Sequence, residues 1–63
     1  MTKADVRKRA RGAYEDLAAI SAPAADEART QAGLPEVWVW DALTMAQLGA
    51  LAVACRLRLL EVA

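Results

Sequence analysis

From Leu43 to Val62 the chain reads LTMAQLGALAVACRLRLLEV, and its apolar positions fall into two parallel rows at helical spacing. Met45, Leu48, Ala52, Cys55, Leu59 and Val62 recur at intervals of 3, 4, 3, 4 and 3, one continuous stripe on an α-helix. Ala46, Ala50, Val53, Leu57 and Leu60 run beside it at 4, 3, 4 and 3. The polar remainder is Gln47, Arg56, Arg58 and Glu61. Thr44 followed three residues later by Gln47 is a capping box that starts a helix, with Leu43 and Leu48 at the two positions of a hydrophobic staple. The pattern predicts a helix over 44–62 that is apolar around most of its girth and belongs in the middle of an assembly.

The first part of the chain carries a narrower stripe. Val6, Ala10, Ala13, Leu17 and Ile20 step by 4, 3, 4 and 3, which predicts an amphipathic helix over 3–20, with Thr2 as its cap and Asp5 as the box partner. Ser21-Ala22-Pro23 breaks that helix and opens a second, over 23–32, because Ser caps and Pro suits a first turn. Ala25, Ala28 and Ala32 make its thin inward face, and Gly33 before Leu34-Pro35 is the stop. Glu36-Val-Trp-Val-Trp-Asp41 alternates like a strand but has no partner strand in the chain. A short helical turn is preferred there, or a continuation into the long helix. The expectation is an all-α single domain, 1–63: a short helical hairpin plus one long, largely buried C-terminal helix.

Size turns this pattern toward association. A 63-residue chain buries only about 60% of the surface its unfolded form exposes, so it needs a support. One cysteine and no histidine leave neither an internal disulfide nor a zinc-type site. A partner subunit is the support that remains, and a homo-oligomer is the expectation. Sixteen alanines and no phenylalanine mean that thin side chains fill most of the interior, so the few large ones matter. The expected protein interface is Trp38, Trp40, Met45, Leu48, Leu51, Cys55, Leu59 and Val62. Tryptophan is enriched among interface hot spots, and equally fits a core otherwise built of Ala and Leu.

Charge adds an asymmetry hidden by the zero net balance. Lys3, Arg7, Lys8, Arg9 and Arg11 face only Asp5 in the first eleven residues, and the rest of the chain is acidic to the same extent. Cations near a helix N-terminus oppose its dipole, so helix stability does not explain them. They are candidate phosphate contacts for a nucleic acid, against the plainer reading of a solvated face. Chemistry has little to work with: Cys55 lacks a histidine base, and there is no glycine-rich phosphate loop or metal-ligand spacing. No catalytic residue, cofactor or metal is expected. Val37 to Cys55 is mostly apolar, which raises a single membrane span as a third reading, opposed by Asp41 and by the capping box inside the segment. The basic start leads into YEDL rather than an apolar signal region, and the location expected is cytoplasmic.

LTMAQLGALAVACRLRLLEVA, with Trp40 before it, resembles the C-terminal helical part of small terminase subunits of tailed phages, through Leu51, Ala54, Cys55 and Arg56. That resemblance implies oligomerisation and DNA binding in packaging. The helix-turn-helix of that family has no clear counterpart in this chain. Taken together, the expected function is a small non-enzymatic interaction or adaptor protein that self-associates or docks on a larger protein through its last helix. The alternative is a nucleic-acid-binding accessory protein, such as a phage-type packaging or regulatory factor, using the basic first helix.

Overall fold

Three α-helices and one 3-10 turn follow each other in a computed structural model that describes residues 1–62: α1 (Lys3–Ile20), α2 (Ala22–Gln31), the turn Trp40–Ala42, and α3 (Met45–Val62). No strand occurs among the described residues. Each helix start is set by local chemistry. At α1 the Thr2 N–H donates to Asp5 Oδ2 and the Asp5 N–H donates to Thr2 Oγ1, both at 3.2 Å. At α3 the Thr44 N–H donates to Gln47 Oε1 at 2.9 Å and the Gln47 N–H donates to Thr44 Oγ1 at 3.1 Å. Leu43 and Leu48, the staple pair around that cap, are both buried.

The hinge between α1 and α2 is a single residue. Ser21 ends α1 by donating its N–H to Leu17 O and caps α2 by accepting from the Ala24 N–H. The second helix therefore begins at Ala22, one residue earlier than expected, with Pro23 still within its first turn, where a missing N–H costs nothing. It ends at Gln31 in a Schellman motif. Gly33 takes φ +77°, its N–H reaches Thr30 O, and the Leu34 N–H reaches Arg29 O. Arg29 braces this exit: it bonds Asp26 Oδ1 through Nε and Nη2, and Leu34 O through Nη1 at 2.9 Å.

The core runs along one side of α3 and is closed by α1 and α2. Ala10 and Leu17 come from α1, Ala25 and Ala28 from α2, Leu34 and Leu43 from the connection, and Leu48, Leu51, Ala54 and Cys55 from α3. The alanines of α2 let the helices approach closely. Ile20, the last member of the α1 stripe, is exposed, because the chain turns at Ser21 before it can reach the core.

Candidate interaction surface on the last helix

The residues between α2 and α3 fold the aromatic groups inward. The chain bends at Glu36 and Val37, is extended at Val39 and enters the 3-10 turn at Trp40. Trp38, Trp40 and Tyr14 of α1 form a mutual edge-to-face triad, with ring centroids 5.2 to 5.8 Å apart. All three rings are half-buried and pack against the core, whereas Val37 and Val39 are exposed. Trp38 Nε1 is enclosed without a hydrogen-bond partner. The Trp pair thus serves chiefly to pin α1 to the turn before α3.

The expected interface set divides in two. Leu48, Leu51 and Cys55 have no accessible surface and lie in the core of the single chain. Leu59 is half-buried. Met45 and Val62 stand at the exposed edge. The buried face of α3 is centred on Leu48, Leu51, Ala54 and Cys55, so it takes in the middle of the Met45–Val62 stripe and leaves the two ends of the stripe at its edge. Burial pushes the Cys55 thiol pKa up, against a smaller opposing effect of Arg58, so it behaves as a small hydrophobe.

The face of α3 turned away from the core is the second row. Ala46 and Ala50 are exposed, and Val53, Leu57 and Leu60 keep 59%, 53% and 78% of their surface. An apolar row of this kind, continuous along the helix, marks an interaction site more often than a scatter of single residues does. Arg56 lies on one flank of the row and Glu61 on the other, both exposed and without an ion pair among the described residues. Arg58 spans back to α2. Its Nη1 donates to Gln31 Oε1 at 2.7 Å and its Nη2 lies 3.9 Å from Glu27.

The basic cluster is partly spent on internal contacts. Arg7 Nε lies 3.6 Å from Asp41, long for a hydrogen bond but within ion-pair range, and Arg11 pairs with Glu15 at the same distance. Lys3, Lys8 and Arg9 remain. Lys8 and Arg9 share an open groove between α1 and α3 with Arg56, a cation outside the expected set, but Asp5 and Asp16 line the same groove. A strand of phosphates meets three cations interleaved with two carboxylates there. Among the described residues no three His, Cys, Asp or Glu side chains cluster as metal ligands, and no helix is long and apolar enough to cross a membrane.

Comparison with family models, with curated proteins and with solved structures finds no match to this chain.

Proposed function

We propose that this chain is a non-enzymatic interaction protein that works by self-association, presenting the outer row of α3 to a second helix. The observation that supports it is the open row Ala46, Ala50, Val53, Leu57 and Leu60 on a helix whose opposite face is already the core. A short helix alone is marginal in water. Here α3 is ordered by α1 and α2 before it meets a partner, so association does not carry the cost of forming it. Nucleic-acid binding has weaker support, since Arg7 and Arg11 are engaged and the remaining groove mixes both signs of charge.

Size-exclusion chromatography with light scattering tests the proposal on the wild type and on Leu57→Glu. The expected outcome is an oligomer for the first and a monomer of unchanged helicity for the second. An oligomer that survives Leu57→Glu and Val53→Glu would place the contact elsewhere.

A further inference from the structure

We infer that the occupant of the outer face of α3 is a second copy of this chain, running parallel and in register, and that Arg56 and Glu61 select that orientation. The inference rests on the self-association reading above. Written as a heptad, the outer row puts Ala50 and Leu57 at a and Ala46, Val53 and Leu60 at d. The core residues Leu48, Leu51, Ala52, Cys55 and Leu59 then fall at b, c and f, away from the seam, and Ala54 is the one core residue at a flanking position, e, while every a and d side chain of the row is exposed. The flanking positions hold one cation and one anion: Arg56 at g and Glu61 at e.

These two cannot pair within one helix, because residues five apart do not share a face. In a parallel in-register pair, the g position of one helix faces the e position of the next heptad in its partner, which is five residues on. Arg56 of each copy then meets Glu61 of the other, twice by symmetry. An antiparallel pair with Val53 packed on Leu57 of the second copy instead brings the two Arg56 side chains together beside the two-fold axis, and turns Glu61 toward a Gln47. Like charges in contact disfavour that arrangement. The charge pattern therefore separates two orientations that apolar packing alone leaves close in energy.

Two sets of variants test this. Arg56→Glu should weaken the dimer about tenfold through its two symmetry-related contacts, and combining it with Glu61→Arg should restore affinity to within about twofold. Leu60→Cys should cross-link to itself on mild oxidation, since in register the two introduced thiols face each other across the seam, while buried Cys55 stays out of reach. A dimer in which Leu60→Cys does not self-link, but links to Ala50→Cys in a mixture of the two variants, overturns the parallel orientation and leaves self-association standing. A wild-type chain that stays monomeric removes both. A dimer indifferent to Arg56→Glu removes the charge selection.

Discussion

Leu51→Ala separates the buried face of α3 from its outer face. Leu51 has no accessible surface, and the residues that enclose it belong to the same chain. Truncation to Ala removes three carbons, about 2.4 kcal/mol of transfer energy at about 0.8 kcal/mol each. The cavity left behind raises the cost into the range of about 2.7–5 kcal/mol. A 63-residue fold holds about 3–9 kcal/mol in all, at about 0.05–0.15 kcal/mol per residue. The variant should thus lose much of its stability as a monomer. Urea unfolding, followed by the fluorescence of Trp38 and Trp40, reads this directly; with a slope of about 1 kcal/mol/M the midpoint should fall by about 3 M. The measurement is made at the lowest workable concentration, where mass action from association contributes least. Leu57→Ala, at a half-exposed site, should shift the same curve by no more than about 0.5 kcal/mol. If Leu51→Ala leaves the midpoint in place while dissociating an oligomer, the division of α3 into a core face and an outer face is wrong.

Further outcomes follow from the caps and the titrating groups. Thr44→Ala removes the box at the start of α3 and should cost about 1 kcal/mol in the same urea assay. Gly33→Ala meets no neighbouring atoms, so its cost, about 1 kcal/mol, should come from φ +77° alone, and Gly33→Asn should cost less. Cys55 has its pKa raised by burial, so its protonated form is favoured in the fold. The stability this gives is present at neutral pH and is lost as pH rises past the ordinary thiol value of 9.0, while labelling by a thiol reagent should wait for unfolding. Asp5 has its pKa lowered, first by the Thr2 backbone N–H and then by the Thr2 hydroxyl. Its contribution is present above the ordinary value of 3.8 and fades as pH falls below it, which circular dichroism should record as fraying of α1. Fluorescence anisotropy on random duplex DNA should show binding weaker than about 10⁻⁴ M at about 200 mM salt; tighter binding with a steep salt slope would restore the basic helix as a site.

Helix ends were legible because capping is local chemistry. Thr2 with Asp5, Thr44 with Gln47, and Gly33 before Leu34-Pro35 each satisfy backbone groups within a few residues, so spacing alone locates them. The facing of α3 was not legible, for the opposite reason. A helix with apolar residues on most of its girth carries little periodic contrast, and its buried side is chosen by where α1 and α2 dock. That choice depends on long-range contacts such as Arg58 with Gln31, which no spacing rule reports. Two stripes were visible, and the more populated one mixed core residues (Leu48, Cys55) with edge residues (Met45, Val62). Tyr14 lies off the apolar row of α1 and gave no sign of its place in the aromatic triad. The fork of Arg29 holds Leu34 O and so shapes the turn, a contact that no spacing rule reports.

Sedimentation equilibrium of the wild-type chain, without detergent and over about a hundredfold range of concentration, tests the outer face of α3 most directly. A reversible monomer–dimer equilibrium that Leu57→Glu abolishes is the predicted result. A single monomeric species across the whole range, with Val53, Leu57 and Leu60 left open to water, would contradict it.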